Sequence, residues 1–444
     1  MQILAGVLPD FGEIFHIAFL FVTHGGWLLF LCGLIYILWR LYLSEIQHQF
    51  SDKLNWTYLS IRVPKENRAS TLGVEQIFTQ LHALHRSYTF MQKYVEGATQ
   101  LWYSFEIISL GGKINFVARI PSEYQSVFEA AVYSQYPQAE ITEVADYMAN
   151  FQFVPEESEY DVLGSEFKMT DDQVIPLKTY KDFEHPSAEE KIIDPLGNLF
   201  ESLAKINEHD FVGVQILAQP LGDEEWQPLG ARKVRQLTEE EEPHKKTFLG
   251  ALLSPLEWFA RFSYRDAILG GGHGHGSDEN KPRNNWLNMT EAQRERVNLI
   301  ERKIGKPGYK VKIRFIYIAP KNKIDKYIRF LIVGAFRHLG SVMTNRLKPD
   351  GNTWIGVDPV FSESLERFYL DKKLRFIKTR HLKGYAKRDI HLGSSQFILN
   401  VEELATLYHF PITAEGTTAP AAIEKTESKK SQPPINLPVA EGEI

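Results

Sequence analysis

The 444-residue sequence predicts an α+β protein, with an N-terminal transmembrane helix, two βαββαβ modules and a disordered C-terminal tail. Three observations lead there. A long apolar run without charge lies near the start. Strand-like and helix-like segments then follow in the order β-α-β-β-α-β. The same order begins again after residue 165, interrupted by a long insertion.

The apolar run, residues 17–39 (IAFLFVTHGGWLLFLCGLIYILW), contains no Asp, Glu, Lys or Arg and is closed by Arg40. About twenty apolar residues, at roughly 1.5 Å each, span a hydrocarbon core of about 30 Å. Trp27, Tyr36, Trp39 and Tyr42 supply interfacial aromatics. A cleaved signal peptide is disfavoured, because the start carries Asp10 and Glu13 but no Lys or Arg. Thr23-His24-Gly25-Gly26 leaves two shapes open. One is a single long helix from Ile14. The other is a span over residues 26–42, with residues 11–22 lying at the interface. Arg40, Lys53 and Arg62 follow the run and nothing basic precedes it, so the positive-inside rule puts the carboxyl side in the cytoplasm. The expectation is a single-pass protein of the inner, cytoplasmic membrane, whose anchor and juxtamembrane helix occupy residues 1–54.

Residues 55–150 form the first module. WTYLSIRV (56–63) alternates as a strand and stops at Pro64. Residues 71–85 place Leu72, Val74, Ile77, Phe78, Leu81 and Leu84 at helical spacing. WYSFEIISL (102–110) and KINFVARI (113–120) flank Gly111-Gly112, a hairpin signal. Ser122 caps a helix with Val127, Phe128, Ala131 and Val132 on its stripe, and AEITEVADY (139–147) is the last strand. This is the split βαβ, ferredoxin-like order.

The second module is expected over residues 165–411, after an acidic connector at 151–166. Its predicted elements are a strand at 174–183, a helix at 194–206 with Pro195 in its first turn, and a strand at 211–218. An insertion, 220–308, precedes a strand at 310–318 and a helix at 324–339. TWIGV (353–357) is the candidate closing strand. Lys113 onward (KINFVARIPSEYQSVF) and Lys312 onward (KIRFIYIAPKNKIDKY) share Lys-Ile-x-Phe, a strand, Pro and a helix, which reads as an internal duplication. The insertion holds an apolar helix at 248–262, a flexible tether with a His273-Gly274-His275 pair, and a helix opened by the Thr290/Gln293 capping box. Two histidines among glycines, with no cysteine beside them, do not make a metal site.

Cys32 is the only cysteine, which excludes disulfides and Cys-based zinc sites and fits a reducing compartment. The net charge of −6 hides an asymmetry: residues 301–390 hold 22 Lys and Arg against 8 Asp and Glu. Lys372, Lys373, Arg375, Lys378, Arg380, Lys383, Lys387 and Arg388, interleaved with Phe376 and Tyr385, are the candidate polyanion-binding residues. Such a cluster binds phosphate backbones or anionic lipid, or is simply a solvated segment. QFILNVEELATLYHF (396–410) is a short strand and helix ending at Pro411, and residues 412–444 read as a disordered tail.

Catalytic patterns are missing. Neither Gly112-Lys113-Ile114 nor Gly305-Lys306-Pro307 continues as a phosphate-binding loop, which needs Ser or Thr after the lysine to reach Mg²⁺. G-x-S-x-G, H-E-x-x-H and the dinucleotide fingerprint are absent. The sequence is therefore read as non-enzymatic, with no catalytic, cofactor-binding or metal-binding residues assigned.

Several stretches carry a resemblance: His24-Gly25-Gly26-Trp27, residues 56–64, 76–85, 107–116, 131–145 (AVYSQYPQAEITEVA) and 398–411 (ILNVEELATLYHFP). Together they resemble the amino-terminal, non-motor region of bacterial type IV secretion, conjugative DNA-transfer coupling ATPases (the TraD/TraG-like group). In that group the last motif lies just before the ATPase domain, whereas here a tail follows it. Nucleotide hydrolysis and motor-driven translocation are accordingly not carried over. The resemblance implies a membrane anchor, a cytoplasmic body and a place in a transfer machine. The expected role is to dock or organise a separate P-loop motor ATPase. Expected partners are membrane lipid, that motor, other secretion-machine subunits, DNA and further copies of the chain. The alternative expectation is a membrane-tethered nucleic-acid-binding protein that uses residues 372–388.

Overall fold

The computed structural model describes residues 23, 27–64, 70–151, 158–183, 194–238, 289–355 and 364–411, without the side chains of 29, 30, 150 and 364–371. The chain is a mixed α+β protein. Helix α1 (Trp27–Asp52) leads into β1 (Trp56–Arg62), α2 (Leu72–His82), the short α3 (Phe90–Tyr94), β2 (Tyr103–Leu110), β3 (Lys113–Pro121), α4 (Gln125–Gln135) and β4 (Glu140–Glu143). Then come β5 (Tyr160–Met169), α5 (Gly197–Ala204), β6 (Phe211–Leu221), α6 (Asp223–Thr238), α7 (Glu291–Ile304), β7 (Gly308–Pro320), α8 (Ile328–Arg337) and β8 (Leu347–Pro349). A long helix α9 (Ser364–Lys387), strand β9 (Phe397–Asn400) and α10 (Val401–Leu407) complete it.

The strands form one antiparallel sheet in the order β4-β1-β3-β2-β6-β7-β5-β8, with β9 beside the start of β7. Within the first half, β1 lies between β3 and β4, and β2 hairpins onto β3. The second half repeats this order strand for strand: β5 lies between β7 and β8, and β6 pairs with β7. The halves meet edge to edge where Tyr103–Leu110 of β2 runs opposite Phe211–Ala218 of β6. Neither half therefore keeps its inner edge exposed. The predicted hairpin is present at Gly111 and Gly112, both at positive φ (55° and 84°), as a two-residue turn with this twist requires. A Cβ on Gly111 would come 2.6 Å from the Glu208 carbonyl oxygen.

Alternation along each central strand separates two faces. Phe105 points to the helical layer, meeting Phe78 of α2 edge-on at 4.9 Å and Tyr408 at 5.3 Å. Phe167 of β5 meets Phe336 of α8 at 4.7 Å. Helices α2, α4, α5, α8 and α10 close this apolar side, where the main core lies. On the opposite face the central strands carry Glu106, Gln215, Arg314 and Glu166, and α9 covers them.

Three expectations for the second module are corrected. Its first strand is Tyr160–Met169, within and beyond the stretch expected as a connector. This strand is covered on both faces, so it lacks an apolar-polar alternation; Gly164, Ser165 and Glu166 at its centre hide it. The stretch expected as a strand, 174–183, is instead a buried loop with a short 3₁₀ turn at Tyr180–Asp182. Its Val174, Ile175, Leu177 and Tyr180 are buried, but side chains and scattered loop backbone groups, such as the Leu339 carbonyl that accepts from Lys178 N (3.0 Å), satisfy its backbone in place of a neighbouring strand. Leu177 N donates to Glu403 Oε1 (2.7 Å) and Tyr180 N to Thr406 Oγ1 (2.9 Å). The closing strand is Leu347–Pro349, and Ile355 makes only one isolated bridge, to Gly164. Helix α6 fills part of the insertion where no element was expected and packs against α7 through Val234, Leu237, Ile300 and Ile304.

Among the described residues, no helix is long and apolar enough to cross a membrane. Most of the first half of the expected span, residues 17–22 and 24–26, lies outside the described residues. So do the expected helix at 248–262, the His273/His275 pair and the expected tail at 412–444.

Candidate functional site

The polar row across the second sheet face follows from strand register. Glu166 is opposite Arg314, Arg314 opposite Gln215, and Gln215 opposite Glu106. Helix α9 crosses these strands and turns His381, Tyr385 and the succeeding Arg388 onto them. The helix comes close because the sheet offers Gly213: a Cβ there would sit 2.0 Å from the Tyr385 hydroxyl. Arg388 follows the last helical residue with φ 52°, the only positive φ at a non-glycine among the described residues. A left-handed residue commonly ends a helix, and here it swings the side chain into the seam between the halves.

Arg388 Nε donates to Glu106 Oε1 (3.0 Å), and Nη1 donates to Asp146 Oδ2 (2.7 Å) and the Ala386 carbonyl (2.7 Å). Its guanidinium lies 4.9 Å from the ring centres of both Tyr58 and Tyr147. Glu106 accepts from Ser104 Oγ (2.6 Å), Tyr147 Oη (2.6 Å) and Gln215 Nε2 (2.9 Å). Both charged side chains are fully buried. Burial pushes the Glu106 carboxyl up, but the Arg388 charge and the hydrogen bonds from Arg388, Ser104 and Tyr147 outweigh it. The pKa lies below the ordinary carboxylate value. Arg388 is likewise penalised by burial and held charged by Glu106.

Next along the row, Arg314 pairs with Glu166 at 3.4 Å and donates to the Asp389 carbonyl (2.7 Å). Lys312 Nζ donates to the Leu392 carbonyl (2.9 Å), and burial lowers its pKa to about 8. His381 Nε2 lies 2.9 Å from the Phe315 carbonyl; burial lowers its pKa to about 4, so it is neutral at pH 7. A third network ties α10 down from the other side of the sheet. Glu402 accepts from Thr179 Oγ1 (2.6 Å), Lys181 (2.9 Å), Arg302 (2.7 Å) and Lys306 (2.5 Å). Burial raises Glu402, but the hydrogen bonds from Lys306, Thr179 and Lys181 bring it to about 2. Glu403 pairs with Lys303 at 3.0 Å, both fully buried. The segment after β8 thus joins the two halves from both faces.

The predicted polyanion residues divide between these roles. Arg388 is the buried latch and Lys378 pairs with Asp161, so the structure removes both from a surface cluster. Lys372, Lys373, Arg375, Arg380, Lys383 and Lys387 are exposed on α9. Lys373, Phe376, Arg380, Lys383 and Lys387 follow 3- and 4-residue steps, which line them along one helix face. Leu374, Ile377, His381, Tyr385 and Arg388 follow the same steps on the face turned to the sheet. Chemically, α9 presents a stripe of positive charge with an exposed phenyl ring in it, held rigid by its buried side. Glu106, Asp146, Glu166 and Glu402 were not legible as site residues, since each is defined by partners far along the chain.

Beside the latch is a cavity of about 360 Å³ between α1 and residues 386–391, lined in part by His48, Trp56, Trp102, Arg119, Lys387 and His391. Arg119 stacks over Trp56 at 3.7 Å. Among the described residues, no group of His, Cys, Asp and Glu could hold a metal ion.

Fold and site together define a class: an α+β protein with a doubled antiparallel sheet, latched across its middle by a basic helix. The chain belongs to the family described as Domain of unknown function (DUF8128), whose model matches residues 40–421. A comparison with curated proteins finds no match.

Proposed function

We propose that this protein is a membrane-anchored, non-enzymatic component of a type IV secretion or conjugation-like transfer apparatus. Two ferredoxin-like modules form a rigid platform that docks or organises a separate P-loop motor ATPase. The anchor is the apolar run at residues 17–39, single-pass in the cytoplasmic membrane, with the modules on the cytoplasmic side. The observation that carries this reading is a contact between the two most specific stretches of the family resemblance. Tyr136, in the SQYPQAEI stretch, meets Phe410, in the EELATLYHFP stretch, at 5.1 Å, and Phe410 meets Phe116 of the β2–β3 hairpin at 5.2 Å. Resembling segments about 270 residues apart in sequence thus form one packed unit. Support for two modules comes from the repeated strand order, β4-β1-β3-β2 and β8-β5-β7-β6, which is the split βαβ order twice. Affinity purification of the full chain from detergent extracts of its native membrane tests the reading. Recovery of a ring-forming P-loop ATPase is expected; repeated recovery of none refutes it.

The α9 stripe favours a second reading, a membrane-tethered nucleic-acid-binding protein. It predicts DNA binding that falls steeply with salt as phosphate counterions are released. Such binding would be lost on charge reversal at Lys373, Arg380, Lys383 and Lys387; unchanged binding refutes that site.

A further inference from the structure

We infer that α3 is a second membrane contact: a short interfacial foot beside α1, whose Phe90, Met91 and Val95 enter the headgroup–acyl boundary of the bilayer. The inference rests on the proposed anchor and adds a surface that the apolar run does not contain. Helix α3 is a capped, fixed turn. Thr89 and Gln92 form a reciprocal capping box, with Thr89 N donating to Gln92 Oε1 at 3.0 Å. It turns Tyr94 inward and leaves Phe90, Met91 and Val95 exposed at 60%, 61% and 54%.

Two contacts fix α3 against α1. The Tyr94 ring stacks on Trp39 at 6.0 Å, and Phe90 lies 4.7 Å from Tyr94. Gly97, at φ 72°, abuts the α1 backbone so closely that a Cβ would come 2.3 Å from the Ile46 carbonyl oxygen. Whatever medium surrounds Trp39 therefore reaches Phe90.

The helix itself identifies that medium. Leu34, Ile35, Tyr36, Ile37, Leu38 and Trp39 are consecutive and all exposed. Six consecutive residues cover every side of a helix, because each step turns about 100°. A protein groove covers one side of a helix, while lipid covers all of it. Trp39 and Tyr42 mark the level where such a helix leaves the hydrocarbon. Arg40 follows Trp39, and Lys93 Nζ lies 5.6 Å from the centre of the Tyr94 ring that stacks on Trp39, so both basic groups are placed to meet anionic headgroups. Phe90 and Met91 sit beside this belt, where apolar side chains of interfacial elements bury. With two points of contact, the span and the foot, the platform cannot swivel freely about α1.

The test uses the full chain in a Cys32→Ala background, with Met91→Cys carrying an environment-sensitive fluorophore. It is reconstituted into phosphatidylcholine–phosphatidylglycerol vesicles with and without brominated acyl chains. Val342→Cys, at a residue 91% exposed, is the aqueous control. A blue shift at position 91, with bromine quenching several-fold stronger than at 342, is expected. Aqueous emission at 91 in a chain that resists alkaline carbonate extraction overturns the foot and leaves the anchor standing. A blue shift without bromine quenching also overturns it, because protein then covers the patch. Release of the chain by carbonate refutes the anchor and the foot together.

Discussion

Replacing Arg388 by Met strands a carboxylate in the middle of the sheet. Glu106 is fully buried, and among the described residues no other cation hydrogen-bonds to it; Ser104, Tyr147 and Gln215 are neutral. Removing one member of a buried pair costs about 3–5 kcal/mol, since the remaining charge keeps its desolvation penalty without its partner. For a folded body of about 300 residues that is a fall in melting temperature of roughly 5–8 °C. The pH dependence separates this cause from lost packing. In the native protein the Glu106 pKa is depressed, so its contribution to stability is present above the unfolded value and is lost as pH falls through the folded value. In Arg388→Met the cation is gone and burial dominates, so the folded pKa rises above the unfolded one. The penalty is then full near pH 7 and shrinks as pH falls and the carboxyl takes a proton. Thermal or urea unfolding of the purified chain at pH 7 and pH 5 reads this directly. The deficit should narrow at pH 5, and Arg388→Met with Glu106→Gln should recover most of it. An equal deficit at both pH values, or a double variant as unstable as the single, refutes the latch.

Gly213→Ala should destabilise by about 1–3 kcal/mol, because its methyl group displaces Tyr385 and lifts α9 from the sheet; Tyr385→Phe should partly relieve it in the same unfolding assay. His381 is held neutral by burial, with a pKa of about 4. The sign is the reverse of a paired histidine: its contribution is intact above the unfolded value of about 6.5 and is lost as pH falls toward 4, by up to about 3 kcal/mol. His381→Asn should flatten that part of the stability–pH curve. Phe410→Ala removes a ring packed on Phe116 and Tyr136 and should cost about 3–5 kcal/mol, read by denaturant midpoint. Charge reversal at Lys373, Arg380, Lys383 and Lys387 should leave the melting temperature within a few degrees, since these side chains are exposed.

The first half was legible because its signals are local: Trp56–Arg62 alternates and Gly111-Gly112 demands a tight hairpin. The Thr290/Gln293 cap of α7, outside that half, was legible for the same reason, since it depends on residues a few positions apart. The start of the second module was not, for the opposite reason. Tyr160–Met169 is a central strand with Glu166 in it, a residue that reads as solvent-facing until Arg314 is seen opposite it. Residues 174–183 read as a strand from their apolar content, but α10 side chains took the Leu177 and Tyr180 amides and loop backbone took Lys178 N, so no ladder forms.

By itself, the sequence determined the α+β class, the element order of the first half, the apolar run before Arg40 and the density of positive charge over 372–388. Tertiary structure alone decided what that charge does. Arg388 and Glu106 are 282 residues apart, and no periodicity links them. Which lysines and arginines stay on the surface, and which one becomes the latch, depends on the face of α9 that meets the sheet. That face is chosen by where Gly213 leaves room and where a buried carboxylate needs a cation.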